Sequence, residues 1–317
     1  SYDVSESLNI TAAGRWFDIE VEEVANAVQG FSGAPGAGKG PELAFSEDDI
    51  IGRLNASYDV NDDVMLYAQW AQGFRSGGTN DQTAAEIAQV TIPQGFGSDS
   101  LDNYEVGIKG MLADGLASLQ LAGYFIDWSD IQIQDQAQDP NNPSLFVPFR
   151  SNGSEAEIYG LELDLSLFPI EGLELALRGG YTDAELSADN PIPSTGRDGD
   201  QIPYIPEFTG SLSADYRRPL RGRNLEASMG VDVTYVDDRQ TELRPGNPLN
   251  LALNDYTLVN LRGGIEGESW SAMLNIKNLF DENEVIDVFR ILPGLTPDGF
   301  IPLQPRMLEL TVSKSFF

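Results

Sequence analysis

Acid–base, nucleophilic and metal chemistry draw on a short list of side chains, and this chain of 317 residues lacks two of them: it has no cysteine and no histidine. Without thiols there are no disulfides, no thiolate metal sites and no cysteine nucleophile. Without imidazole, Ser-His-Asp triads, His-ligated zinc and His acid–base catalysis are excluded. An enzyme would have to run on carboxylates, Lys or Tyr alone, so no catalytic residue, metal ligand or cofactor is assigned. Asp and Glu number 50 against 19 Lys and Arg, a formal net charge of -31. Such a chain repels nucleic acid, whose binding needs cations on the phosphates. The charge reads as solubility in a salty medium. A sharper alternative is that acidic loops bind cations such as Ca²⁺.

The elements that would position any site come next. No run of 18 apolar residues occurs, so a transmembrane helix is excluded. A membrane-crossing strand needs only about 9–11 residues, with every second one apolar. That alternation dominates the chain. Tyr159, Leu161, Leu163, Leu165 and Leu167 share one side of an extended segment, with Gly160, Glu162, Asp164 and Ser166 on the other. Leu173, Leu175, Leu177, Gly179 and Tyr181 repeat it, as do Leu225, Ala227, Met229, Val231, Val233 and Tyr235. Helical spacing would scatter these residues; a pleated strand gathers them. The pattern predicts twelve strands, over 6–18, 50–58, 64–74, 102–112, 116–130, 148–168, 173–185, 207–217, 224–237, 256–266, 269–279 and 306–316.

The connections alternate in length. Short ones fall at 59–63, 113–115, 169–172, 217–224 and 266–268, long ones at 19–49, 75–101, 131–147, 186–206, 238–255 and 280–305. Tight turns on one side and long loops on the other are expected of an outer-membrane barrel. Aromatic residues agree. Tyr58, Phe168, Tyr216, Trp270 and Phe316 stand near the short turns or the C-terminus. Trp16, Trp70, Tyr104, Tyr181, Phe208, Tyr235 and Tyr256 stand toward the long loops. Rings with a polar tip favour the bilayer interface, so two belts are expected. Arg53, Asn55, Glu105, Lys109, Gln120, Glu162, Asp164, Arg178, Asp215, Glu226, Asp232, Asn260, Arg262, Asn275 and Lys277 take the opposite side, facing a wet lumen.

Several segments resemble the β-barrel of TonB-dependent receptors. They are "VMLYAQWAQGFRSGGTN" from Val64, "DNYEVGIKG" from Asp102, "YFIDWSDIQIQ" from Tyr124 and "SNGSEAEIYGLELDLSLFPIEGLELALRGGYTDAEL" from Ser151. "IPYIPEFTGSLSADYR" from Ile202, "LNIKNLFDE" from Leu274 and the closing "QPRMLELTVSKSFF" complete the set in the family's order. The resemblance covers roughly residues 5 to 317. It implies an all-β fold: an antiparallel transmembrane β-barrel with long extracellular loops and short periplasmic turns. It also implies that residues 1–317 are the C-terminal part of a larger barrel of about 22 strands. The family's N-terminal plug domain and the box that binds the energy-coupling protein are not visible in this sequence. Nor is a signal peptide, so the chain reads as processed or as a fragment.

The resemblance further implies a receptor in the Gram-negative outer membrane that takes up a scarce nutrient, foremost an iron–siderophore complex. Its partners would be the lipid bilayer, the TonB energy-coupling complex acting through the missing part, the barrel assembly machinery and a small-molecule ligand such as a ferric siderophore, with vitamin B12, an oligosaccharide or aromatic polymer fragments also fitting. Arg75 and Asn80, opening one long loop, and Arg150, near another, are the candidate ligand contacts. A cation there would hold an anionic carboxylate or phosphate by charge-assisted hydrogen bonds. The competing reading of Arg75 is a strand-end residue paired with a loop carboxylate. Phe316 and Phe317 are the candidate assembly signal; family chains end on one aromatic, whereas here Phe317 is one residue extra and Lys314 replaces a more usual aromatic. A Lys near the interface can snorkel. The alternatives are a passive outer-membrane channel and a soluble β-rich carbohydrate-binding protein.

Overall fold

A computed structural model describes residues 1–29, 35–141, 146–190, 196–221, 224–247, 249–289 and 298–315. Phe316 and Phe317 lie outside the described residues. The main body is one antiparallel sheet whose strands follow one another in chain order. They are β1 (Tyr2–Asp3), β2 (Leu8–Gln29), β3 (Pro35–Asn61), β4 (Val64–Arg75), β5 (Asp99–Leu112), β6 (Ala117–Gln138) and β7 (Phe146–Ile170). The sheet continues through β8 (Leu173–Leu186), β9 (Phe208–Pro219), β10 (Leu225–Val236), β11 (Tyr256–Gly267), β12 (Trp270–Lys277) and β13 (Met307–Lys314). Among the described residues β1 and β13 are its two edges.

Register turns the alternation of single strands into two continuous surfaces. Val64, Gly110, Leu119, Leu165, Leu177, Leu212, Val233 and Val259 are neighbours across eight strands. One residue along, Met65, Lys109, Gln120, Asp164, Arg178, Ser211 and Thr234 form the opposite row. The period of two allows no mixing of these rows without a slip that would invert a whole strand. The apolar face is exposed: Leu161 is 52% accessible, Leu212 56% and Leu308 72%. Burying a Leu or Val removes about 1.5–3 kcal/mol of unfavourable hydration, so rows of them left in water would be ruinous. Among the described residues no second layer of this chain covers them. The two buried apolar clusters, Ala85–Ala88–Ile92–Val147 and Ile131–Ala156–Leu186, both sit at the long-loop end.

Tight turns close the other end. Between β7 and β8 the register runs Ile170 to Leu173, leaving Glu171 and Gly172 as the turn. Gly172 takes φ 81°, and a Cβ there would lie 2.1 Å from the carbonyl oxygen of Arg217. The same approach lets the Arg217 N–H donate to the Gly172 oxygen at 2.8 Å, stitching two neighbouring turns together.

Each expected strand overlaps a strand of the sheet, but two expected loops do not survive. Most of 19–49 and of 131–147 is ladder: β2, β3, β6 and β7 run for 22, 27, 22 and 25 residues. A crossing needs about 11 residues, so these hairpins project roughly 40 Å beyond it. Beyond the apolar zone the ladder goes on through charged and short-lived patterns: Glu20–Glu23 lie opposite Leu43–Ser46, with Val21 and Phe45 paired on one side and Glu22 and Ala44 on the other. The long connection after β4 holds a seven-residue helix, Gln82–Ala88. Tyr256 is a further correction. It precedes Asn260 and Arg262 at even spacing and pairs with Val236, so it stands on the polar side rather than in the outer belt.

Candidate functional site

The long-loop end of β4–β7 brings the sequence-derived candidates together, in unequal roles. Arg75, the last residue of β4, grips Asp99, the first of β5. Its Nε donates to both carboxylate oxygens, at 3.1 and 2.9 Å, and its Nη2 donates to Oδ2. The guanidinium also lies 4.9 Å from the Trp128 ring centroid. Asp99 is the buried partner, 2% exposed, and further accepts the Gln132 N–H at 3.2 Å. Burial pushes its carboxyl up. The Arg75 hydrogen bonds, the Gln132 N–H, the Arg75 charge and a hydrogen bond from Trp128 outweigh that, leaving it below the usual carboxylate value. The expectation that Arg75 pairs with an acidic residue is thus what the geometry shows. Gln132 completes the knot by donating from Nε2 to the Ser76 oxygen at 2.9 Å and the Arg75 oxygen at 3.2 Å.

Asn80 is 5% exposed, and its side chain is used up on backbone. Its Nδ2 donates to the carbonyl oxygens of Arg150 at 2.8 Å and Pro93 at 3.1 Å, and the Arg150 N–H donates to its Oδ1 at 2.7 Å. Asn80 therefore fastens the β4–β5 connection to β7. Arg150 is fixed through its main chain by that clamp, while its exposed guanidinium stands 5.8 Å from the Phe96 ring centroid. Among the described residues it makes no ion pair. Beside it lies a hollow of about 570 Å³ lined by Leu43, Phe45, Gly78, Phe96, Gly97 and Asn152.

Asn152 and Gln132 were not singled out from the sequence, yet both tie elements far apart in the chain. Asn152 Nδ2 donates to the oxygens of Gly97 at 2.9 Å and Asp130 at 2.8 Å, and its Oδ1 accepts the Gly97 N–H. Asn152 stands in an Asn-Gly pair at the start of the segment from Ser151 that resembles the family, the one signal available. Nothing local marks Gln132 or Asp99. Among the described residues no group of three or more carboxylates is placed to hold a metal ion.

Two other surfaces frame this region. On the polar face Arg262 bridges Asp215 and Asp232, and Arg178 meets Asp164 at 2.9 Å. On the apolar face the aromatic tips point to carboxylates on the loop side. Tyr159 donates to Glu157 at 2.9 Å, Tyr235 to Asp237 at 2.9 Å, and the Trp70 indole to Asp102 at 2.7 Å. A ring anchored in this way has an apolar body and a wet tip, the arrangement a bilayer interface favours.

Comparison with known proteins agrees with this architecture. The family described as TonB dependent receptor-like, beta-barrel, matches residues 1–279. The chain is 23% identical over 244 residues to the pesticin receptor of Yersinia enterocolitica, covering 76% of this chain and 33% of that protein. It is 24% identical over 290 residues to the ferripyoverdine receptor of Pseudomonas aeruginosa, covering 89% and 31%. It thus spans about a third of the length of the curated relatives it matches. The crystal structure of the ferric yersiniabactin uptake receptor FyuA from Yersinia pestis superposes with TM-score 0.76 at 18% identity, over 100% of this chain and 44% of that one. The ferripyoverdine receptor of the outer membrane of Pseudomonas aeruginosa, bound to ferripyoverdine, gives TM-score 0.68 at 20% identity, over 99% and 37%. With an apolar face left uncovered among the described residues, a polar face carrying the ion pairs, and the family match over most of its length, this chain belongs to the β-barrel family of TonB-dependent receptors.

Proposed function

We propose that this chain is part of the barrel wall of a Gram-negative outer-membrane receptor that imports a ferric siderophore in a TonB-dependent way. The observation that carries the reading is the family match over residues 1–279. Relatives named for ferripyoverdine and rhizobactin point to the siderophore class. The unpaired edges of the sheet and the third of the relatives' length that it spans support its being one section of a barrel of about 22 strands. A plug domain, the TonB complex and the barrel assembly machinery are then the expected partners, with Phe316 and Phe317 as the assembly signal. Receptor rather than enzyme is the family's type.

Within this section, Arg150 is the ligand contact best supported by geometry. Its main chain is locked by Asn80, its guanidinium is exposed beside an aromatic ring, and a hollow opens next to it. Arg75 and Asn80 serve the site by holding that frame. The test is uptake of radiolabelled ferric siderophores by cells with and without the gene, before and after the proton gradient is collapsed. Loss of one siderophore's uptake on deletion, and the same loss without the gradient, is the expected result. Uptake that persists without an energy source indicates a passive channel instead.

A further inference from the structure

The short turns at one end of the sheet do not all carry the same charge. Those at 59–63, 113–115, 169–172 and 266–268 each hold at least one Asp or Glu and no Lys or Arg. The turn between β9 and β10 is the reverse. Arg217, Arg218, Arg221 and Arg223 stand close together in the sequence, and no Asp or Glu occurs from 216 to 225. A chain with 50 carboxylates and 19 cations thus gathers several of its few cations at one turn. Arg223 lies outside the described residues. Arg217, Arg218 and Arg221 are exposed, and among the described residues none makes an ion pair or a side-chain hydrogen bond. The flanking turns hold carboxylates that these arginines do not use. Glu171 precedes Gly172, whose oxygen takes the Arg217 N–H at 2.8 Å, and Glu268 accepts from Asn224 at 2.6 Å.

Register separates the arginines. Arg218 pairs with Ala227, and its row continues through Ile265, Ala272 and Val312. These neighbours belong to the apolar face, where Ile265 is 40% and Val312 68% exposed. Arg218 is the one charged residue of the five. Tyr216 precedes it on the same face, paired with Met229. Arg217 takes the other side, opposite Ser228 on the polar face. Arg221 stands in the turn itself, which is closed by the Leu220 N–H donating to the Leu225 oxygen at 2.8 Å. A guanidinium at the border of an apolar face lays its stem on that face and sends its head toward water. At the border of a bilayer the anions it meets are headgroup phosphates, which a guanidinium takes by paired hydrogen bonds.

We propose that Arg218 and Arg221 bind the headgroup phosphate of an anionic phospholipid in the leaflet at the short-turn end. A headgroup that also carries an ammonium is disfavoured, because this turn offers it no carboxylate and several like charges. The place of Arg218 on the lipid-facing row commits the site to a lipid rather than to free phosphate. The inference rests on the membrane placement proposed above.

The test uses the full receptor purified from outer membranes in detergent, with dioleoyl phosphatidylglycerol or dioleoyl phosphatidylethanolamine added and retention read by native mass spectrometry. The glycerol lipid should be retained over the ethanolamine lipid by about fivefold for each arginine, the scale of one basic residue at an anionic surface. Arg218→Gln with Arg221→Gln should remove that preference. Arg217→Gln, which deletes an exposed charge of the same turn on the polar face, should leave it. Inorganic phosphate in excess over the lipid should not displace it. Equal retention of the two lipids, a preference that survives the double substitution or falls as far in Arg217→Gln, or displacement by phosphate would overturn the proposal. So would an acidic protein held by these arginines in place of lipid. Recovery of the protein from the soluble fraction would instead sink the membrane placement.

Discussion

Arg262 on β11 reaches Asp215 on β9 by lying across Gly230 of the strand between them. The three residues are in register, the Arg262 Nε donates to Asp215 Oδ1 at 2.9 Å, and its Nη1 donates to Asp232 Oδ1 at 2.6 Å. A Cβ on Gly230 would sit 2.5 Å from both the guanidinium and the carboxylate. Asn260 extends the chain, donating to Asp232 at 2.5 Å and accepting the Asn278 N–H at 2.8 Å. One missing side chain thus lets the polar wall be cross-linked over three strands and up to the turn that ends β12.

The first prediction concerns this bridge. Arg262→Met leaves Asp215 and Asp232 facing each other, both about one-third exposed. The loss should be about 1–2 kcal/mol, between the limits for exposed and buried pairs. Gly230→Ala should produce a similar loss, and combining the two should add little, because both break one contact. Urea unfolding in detergent micelles measures it; additive losses would show that Gly230 is not the passage for Arg262.

Asn80→Ala should act on order rather than on charge. It deprives the Arg150 N–H and two carbonyls of their part-buried partner, about 1–3 kcal/mol of local stability. Arg150→Ala should leave the fold intact and weaken an anionic ligand about tenfold. Hydrogen exchange over residues 76–97 separates the two: faster in Asn80→Ala, unchanged in Arg150→Ala. The reverse pattern would assign the binding role to Asn80.

Asp99 gives a pH dependence. Its folded carboxyl titrates below its unfolded value, so the unfolded chain takes up the proton first as pH falls. The stabilisation is complete above the ordinary carboxylate range, about pH 4, and is lost as pH falls through the lower folded value. Trp128 fluorescence, isolated by difference with Trp128→Phe, should hold steady from neutral pH to about pH 4 and change only in stronger acid. Asp99→Asn should lack that acid step; a step near neutrality in the parent protein would contradict the assignment.

The two faces should respond oppositely to one new charge. Leu163→Arg places a cation in the middle of the apolar face, at about 2–4 kcal/mol. Gln120→Arg, on the neighbouring polar row beside Asp164, should lie within about 0.5 kcal/mol of the parent. Folding into vesicles, followed by electrophoretic mobility without boiling, compares them. Equal tolerance would mean that Leu163 does not face lipid.

Local sequence determined the strands inside the apolar zone and which of their faces is which. Each crossing strand of β4–β12 carries its own period-two record, because lipid on one side and water on the other act on every second residue. The projecting parts of β2, β3, β6 and β7 left a weaker record, since they bury only a few residues, such as Ile131 and Val147, against the loop region, and elsewhere are held extended by cross-strand hydrogen bonds made by backbone common to all sequences. The candidate site divides the same way. Arg75, Asn80 and Arg150 were legible as polar residues near loop ends. Which of them is spent on structure was decided by Asp99, 24 residues from Arg75, and by the Asn80–Arg150 clamp across 70 residues. Contacts between groups so far apart in the chain exist only once the strands have paired, and the register of that pairing is a property of the whole sheet.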